Sequence, residues 1–242
     1  MMDMADRSML AKLWHERAKI TRQDIFGSSD EQLRPIAPSS QADVAVPGMV
    51  GENYSSGGLA IVSVNPAGGK DDFRPTAGDA KLYDAAKRIS LFDDVQSFEQ
   101  MNRAYRLGMP SWGAQWRHIN AILAATHQSL WQLAYPYLVP FRTRHDKGSA
   151  LKQDVIDRAY QLGFVEVMRE LQPALVIPVD RHSEAAVHRL KIETSMTFEI
   201  IYYTRQQNAH TTRTDTLENI ARYHFSIPHR ESNGLVGDQA AS

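Results

Sequence analysis

Short apolar runs and segments of helical periodicity alternate along this chain. Runs rich in β-branched and aromatic residues predict four buried strands, at residues 58–64, 130–139, 174–179 and 198–203. Apolar residues at helical spacing predict helices at residues 8–26, 76–90, 111–123, 149–171, 183–190 and 215–223. We expect Gly163 to bend the longest of these helices.

Strands separated by helices favour right-handed crossovers and a parallel sheet. The pattern therefore predicts an α/β fold, with three α/β/α layers and a four-stranded, mainly parallel sheet. We expect this domain over residues 31–230, an N-terminal helical arm over 1–30 and a polar tail over 231–242. The Pro-, Ser- and Gly-rich stretch 32–56 is interpreted as an extended segment that docks on the domain. The arm could dock on the body or mediate self-association, and both alternatives stay open.

The composition is that of an ordinary globular protein, since 43% of the 242 residues are hydrophobic and 23% are charged. No window is apolar enough for a membrane span, and the polar start of the chain lacks a signal-peptide core. There is no cysteine, which excludes disulfides and thiolate chemistry. We expect a monomeric, cytoplasmic protein with no membrane partner.

The charge balance bears on nucleic acid as a partner. Lys and Arg number 27 and Asp and Glu number 28, so the formal net charge is −1. A protein that coats nucleic acid carries a strong positive excess, which this chain lacks. An enzyme that contacts a short stretch of DNA needs only a local basic rim, and the balance allows one.

Polar residues follow each predicted strand. Asn65 and Pro66 come directly after the first strand, and basic and polar residues follow the other three. Because the carboxyl ends of parallel strands lie at one edge of a sheet, these loops are expected to converge on one crevice. The polar residues after the second, third and fourth strands are Arg142, Arg144, His145, Asp180, Arg181, His182 and the stretch 205–212.

Other kinds of site lack their motifs. No Gly-x-Gly-x-x-Gly follows the first strand and no phosphate-binding Gly-Lys-Ser/Thr occurs, so no nucleotide cofactor is expected. No histidine or carboxylate spacing predicts a metal site, and we expect neither a metal ion nor another cofactor. Trp112 and Trp116, at helical spacing, are interpreted as packing residues rather than a stacking platform.

Two segments carry a resemblance to a known family. Residues 62–68 read Val-Ser-Val-Asn-Pro-Ala-Gly, and residues 46–51 read Val-Pro-Gly-Met-Val-Gly. The chain resembles the uracil-DNA glycosylase superfamily, in which mismatch-specific and single-strand-selective branches carry Asn-Pro-Gly after the first strand. The resemblance covers residues 45–225 in element order, and the first motif matches closely. The family's second motif, often His-Pro-Ser, is replaced here by residues 205–212, where His210 is the nearest equivalent.

The resemblance implies hydrolysis of the N-glycosidic bond of a flipped-out nucleotide in DNA. Asn65 would position the attacking water, while Arg205 or His210 would stabilise negative charge on the leaving base. Base contacts would come from Pro66, Phe73 and Tyr137. Contacts to the DNA backbone are expected from four further residues: Arg142, Arg144, Gln206 and Thr211.

One departure from the family bears on the substrate. Many relatives carry an Asn that reads the pyrimidine edge where this chain has Tyr137, and a phenol cannot present the paired donor and acceptor of a carboxamide. This favours a mispaired or modified pyrimidine, including a hypermodified base of phage DNA, whose removal would leave an abasic site and serve anti-phage defence. A uracil-directed repair glycosylase, a small-molecule nucleoside N-glycosidase and a catalytically idle nucleic-acid-binding module remain alternatives.

Overall fold

The computed structural model describes residues 4–27, 44–66, 77–142, 151–204 and 210–223. Within them, five strands form one sheet in the order β1-β3-β2-β4-β5. The strands are β1 (Gly48–Val50), β2 (Leu59–Val62), β3 (Leu133–Pro136), β4 (Leu175–Pro178) and β5 (Glu199–Ile200). The helices are α1 (Met4–Lys19), α2 (Arg22–Phe26), α3 (Ala77–Leu91), α4 (Val95–Gly108), α5 (Ala114–Ala125), α6 (Gln153–Ala159), α7 (Val165–Leu171), α8 (Arg181–Thr194) and α9 (His210–Ala221).

The sheet is mainly parallel, as predicted. Strand β2 pairs in parallel with both β3 and β4, and β5 pairs in parallel with β4. Every residue of β1 to β4 is buried. Because successive side chains of a strand point to opposite faces, continuous burial means that both faces are covered. The three-layer α/β/α prediction is confirmed, and all four predicted strands are present.

The sheet has a fifth strand that the sequence pattern did not predict. Strand β1 pairs antiparallel with β3, with Met49 opposite Tyr135. The part of the extended segment that the structure describes thus docks by joining the sheet edge. Three residues flanked by glycine and proline are too few to show an alternating pattern, so only the pairing with β3 defines this strand.

The helices follow the predictions with three main differences. The helix predicted over 215–223 begins earlier, at His210, and so includes the end of the stretch 205–212. The helical pattern over 8–26 forms two helices, because Thr21 and Asp24 cap α2 reciprocally and start a new helix. Helix α4 was not predicted. Its signals are an N-cap, Asp94, whose side chain accepts from the Ser97 amide at 2.6 Å, and the helical spacing of buried residues such as Phe98 and Tyr105.

The predicted bend near Gly163 is confirmed. Residues Tyr160–Phe164 join α6 to α7 through a wide turn in which Gly163 has φ 95°. This left-handed conformation is one that glycine adopts without the steric penalty of a Cβ.

The described part of the N-terminal arm packs against the body. Trp14 is fully buried, its indole Nε1 donates to the Gly48 carbonyl at 2.9 Å, and its ring contacts Phe98 at 5.6 Å between centroids. Docking, one of the two open alternatives for the arm, is therefore found. The predicted boundaries at 30 and 230 stay predictions, and the tail 231–242 lies outside the described residues. No helix in the described ranges has the length and apolar character to cross a membrane.

Candidate active site at the carboxyl edge of the sheet

The strand order creates a switch point in the middle of the sheet. The chain passes from β2 to β3 on one side, then returns to β4 on the other side of β2. In open α/β sheets, ligands bind outside the carboxyl ends of strands at such a point. Here the switch point falls between the residues that follow β2 and those that follow β4.

Asp180 ties the two strand ends together. Its Oδ2 accepts from the Val64 amide at 2.8 Å and from the Ser63 hydroxyl at 3.5 Å. Its Oδ1 accepts from the Ser183 amide at 2.8 Å, which makes Asp180 the N-cap of α8. One carboxylate therefore joins the end of β2 to the start of the helix that follows β4.

Asn65 and Pro66 lie directly beyond this junction. Asn65 is nearly buried, with 7% of its surface exposed, and Pro66 is buried. The backbone beyond β3 lies alongside, since the Leu138 amide donates to the Ser63 carbonyl at 3.0 Å and the Val139 amide to the Val64 carbonyl at 2.7 Å. These bonds fix the two residues that precede Asn65, and a group that positions a reactant needs such a fixed backbone.

Buried aromatic residues lie on the β3 side. Tyr137 pairs with Ser63 in a parallel bridge, is 1% exposed, and contacts the rings of Tyr135 at 5.1 Å and Tyr105 at 6.3 Å between centroids. The Gln115 amide nitrogen donates to the Tyr135 hydroxyl at 2.7 Å. Burial raises the pKa of Tyr105 and of Tyr137 well above the ordinary tyrosine value. Both phenols therefore stay neutral at physiological pH.

Of the four residues predicted to contact the DNA backbone, Arg142 is the one whose side chain the structure describes. It is half-buried, and its guanidinium carbon lies 5.4 Å from the centre of the Tyr83 ring of α3. Such a stack restricts a long side chain while leaving its charge intact. The positive charge of Arg142 acts on the buried phenols of Tyr105 and Tyr137, where it opposes the rise in pKa that burial causes.

The predicted site residues divide into two groups. Four of them follow the neighbouring strands β2 and β3 at their carboxyl ends: Asn65, Pro66, Tyr137 and Arg142. His210 and Thr211 begin α9, but their side chains lie outside the described part of the chain. Phe73, Arg144, Arg205 and Gln206 also lie outside it. Their assigned roles stay predictions.

Three side chains at this edge carried no predicted role in the site. Asp180 was noted only as a polar residue after a strand, while Tyr105 and Gln115 come from helices. Asp180 followed by Ser183 three residues later is a helix-capping pattern, from which its N-cap role could have been recognised. No local signal links Tyr105 or Gln115 to this edge, because their contacts depend on how α4 and α5 pack.

A cavity of about 130 Å³ lies between α6 and α8. Arg189 lines it, but its guanidinium already pairs with Asp157 at 2.9 Å and Glu193 at 2.7 Å. Its Cζ also lies 4.3 Å from the centre of the Tyr160 ring. Because the Arg189 charge is already compensated by two carboxylates, this cavity is a poor candidate for binding an ionic ligand. In the ranges that the structure covers, no three histidine or carboxylate side chains cluster as metal ligands do.

The structure defines a three-layer α/β protein with polar and aromatic side chains beyond the carboxyl ends of neighbouring strands. No model of a known protein family matches the chain, and no curated protein matches it in sequence. The resemblance to the uracil-DNA glycosylase superfamily therefore rests on the residues quoted above and stays a prediction.

Proposed function

We propose that this protein is a monofunctional DNA glycosylase, which hydrolyses the N-glycosidic bond of a modified or mispaired pyrimidine. The observation that carries the proposal is the position of Asn65 at the carboxyl end of β2, two residues beyond Ser63, which pairs with Tyr137 on the neighbouring strand end. A flipped-out base needs a crevice with aromatic walls and a fixed polar group near its sugar. The carboxyl edge of this sheet offers both kinds of group.

The proposed reaction breaks the bond between C1′ of the sugar and the base nitrogen. The base leaves with the electron pair, and the sugar gains positive character before the water oxygen bonds to C1′. Asn65 orients this water through its amide. An amide is no strong base, so the water loses its proton to solvent after attack, and a good leaving group is required. Modified or mispaired pyrimidines suit such a site, since mispairing also lowers the cost of flipping.

The Tyr137 side chain supports a substrate other than plain uracil. Its hydroxyl is neutral and buried, so it can offer one hydrogen bond but not the paired contacts of an amide. A hypermodified pyrimidine of phage DNA, excised to leave an abasic site as a defence against infection, is the substrate that we propose. The predicted roles of Phe73, Arg205 and His210 belong to the same proposal.

The test is a panel of DNA substrates with the wild-type protein, Asn65→Ala and a control, Asn53→Ala. Asn53 is an exposed turn residue after β1, away from the carboxyl edge. The panel contains uracil, mismatched and modified pyrimidines in single- and double-stranded DNA, modified phage genomes and free nucleosides, and DNA binding is measured in parallel. Alkaline cleavage detects abasic sites.

Each outcome separates the proposal from an alternative. Abasic sites in modified or mismatched DNA, lost in Asn65→Ala and kept in Asn53→Ala, support the proposal. Cleavage of uracil alone indicates a repair glycosylase, and cleavage of free nucleosides alone indicates a small-molecule N-glycosidase, which the near-neutral charge would suit. Binding of DNA without cleavage indicates an idle module. Wild-type turnover in folded Asn65→Ala contradicts the role of Asn65.

A further inference from the structure

Arg17 of α1 is a buried charge at the candidate site. Its side chain is 2% exposed, and its Nη2 donates to the Tyr137 carbonyl at 2.6 Å and to the Leu138 carbonyl at 3.3 Å. Its Nε and Nη1 have no hydrogen-bond partner within the described residues. The hydrogen bonds of this buried guanidinium therefore go to two backbone carbonyls that follow β3.

A proline explains why the Tyr137 carbonyl needs an outside donor. The antiparallel register of β1 and β3 pairs Gly48 with Pro136 and continues to Pro47 and Tyr137, where the Tyr137 amide donates to the Pro47 carbonyl at 3.1 Å. In a hydrogen-bonded antiparallel pair the partner donates back. Pro47 has no N–H, so the Tyr137 carbonyl would be left unsatisfied. The Arg17 guanidinium occupies the place of that missing donor.

Burial of the Arg17 charge is unfavourable, and the surrounding chain leaves space for its side chain. Desolvation lowers the pKa of Arg17 to about 10, although Glu166 and Tyr105 oppose the shift. A Cβ on Gly163 would come within 3.1 Å of the Arg17 Cγ, so the bend between α6 and α7 leaves space for its stem. Because burying the Arg17 charge costs free energy, we attribute its presence to the positioning of the chain rather than to stability.

We infer that Arg17 is a positioning residue, which replaces the amide that Pro47 lacks and so fixes the end of β3 that carries Tyr137 and Arg142. Through Arg17, the N-terminal helix becomes part of the site's support. The inference rests on the proposed function, because that edge is its candidate site. It assigns to Arg17 no contact with substrate.

The test restores the missing backbone donor. Arg17→Met removes the guanidinium, and Pro47→Ala returns an N–H opposite the Tyr137 carbonyl; the two single variants and the double variant form a cycle. Hydrogen exchange is measured at the Leu138 and Val139 amides, which bond the end of β3 to β2. Cleavage of whichever DNA substrate the wild type accepts gives kcat/KM. Trp14→Phe is the control, since it loses another bond from α1, to the Gly48 carbonyl.

Arg17→Met is expected to speed exchange at these two amides about tenfold or more relative to amides of β4, the factor that one hydrogen bond from a charged donor is worth. It should lower kcat/KM by a similar factor, and the double variant should recover most of both losses. Trp14→Phe should leave the two amides unchanged. If Arg17→Met does not fold, Arg17→Lys, with one ammonium in place of the guanidinium, should show a smaller change that Pro47→Ala also relieves.

Unchanged exchange in Arg17→Met, failure of Pro47→Ala to rescue it, or an equal effect of Trp14→Phe would each overturn the inference. The proposed function is tested independently of this inference. If the wild type cleaves no DNA but the exchange effect and its rescue are observed, the Arg17 bond stands and the glycosylase proposal alone is contradicted.

Discussion

The junction made by Asp180 yields a quantitative prediction for Asp180→Ala. The substitution removes two kinds of bond at once: the N-cap of α8 and the acceptor for the Val64 amide. Val64 is 1% exposed, so its amide cannot turn to water when the carboxylate is lost. The perturbation therefore leaves a buried donor unsatisfied.

The magnitude follows from the two losses. An N-cap is worth about 1 kcal/mol, and an unsatisfied buried amide costs roughly 1–3 kcal/mol. The free energy of unfolding of Asp180→Ala should therefore fall by about 3 kcal/mol. In a protein of this size, that lowers the melting temperature by roughly 6–12 °C. Asp180→Asn keeps a single acceptor oxygen, which can serve Ser183 or Val64 but not both, so its loss should be smaller.

The chain offers a matched control in Asp94. Its side chain caps α4 by accepting from the Ser97 amide at 2.6 Å, and it is exposed. No bond from Asp94 to a strand is found in the described part of the chain. Asp94→Ala should thus cost only the cap, about 1 kcal/mol. Urea unfolding of both variants, with equal m-values, isolates the strand-end bond as the difference between them.

Equal losses in Asp180→Ala and Asp94→Ala would refute the reasoning, because the bond to Val64 would then contribute nothing. Faster exchange of the Val64 amide in Asp180→Ala alone should accompany the larger loss. An unchanged exchange rate at the Val64 amide would mean that another group accepts its hydrogen bond. The strand ends at the switch point would then not depend on the Asp180 carboxylate.

Three further predictions concern other parts of the molecule. Asn65→Ala should lower the rate of base excision roughly a hundredfold or more while changing DNA affinity much less, as single-turnover and binding assays would show. Gly51→Ala should lower the melting temperature strongly or prevent folding, because its Cβ would lie 2.3 Å from the Trp131 carbonyl oxygen. Burial raises the pKa of Glu99 despite the Arg7 charge, so the fold favours its protonated form. The stability of the wild type relative to Glu99→Gln should therefore be greatest below the ordinary glutamate pKa and fall as pH rises through the raised one, as urea unfolding across pH would measure.

Local patterns in the sequence determined most of the secondary structure. Strands β2, β3 and β4 were predictable because buried strands form continuous apolar runs bounded by turn residues, and β2 with its Asn65-Pro66 end is the clearest of them. Strand β5 was predicted from its β-branched and aromatic residues, although Glu199 in it is exposed. The bend at Gly163 was predictable because glycine interrupts a helical pattern. Helix α4 was not predicted, although its N-cap Asp94 and the helical spacing of Phe98 and Tyr105 are local signals of it.

The site was predictable only in part. The sequence placed Asn65 at a strand end, since that depends on neighbours along the chain. The partners that hold the site come from distant segments: Asp180 lies 116 residues from Val64, and Arg17 lies 120 residues from Tyr137. Strand β1 depends on its pairing with β3, and the Arg17 bond depends on the backbone donor that Pro47 lacks in that pair. That is a property of pairing between segments, so only the tertiary structure could decide it.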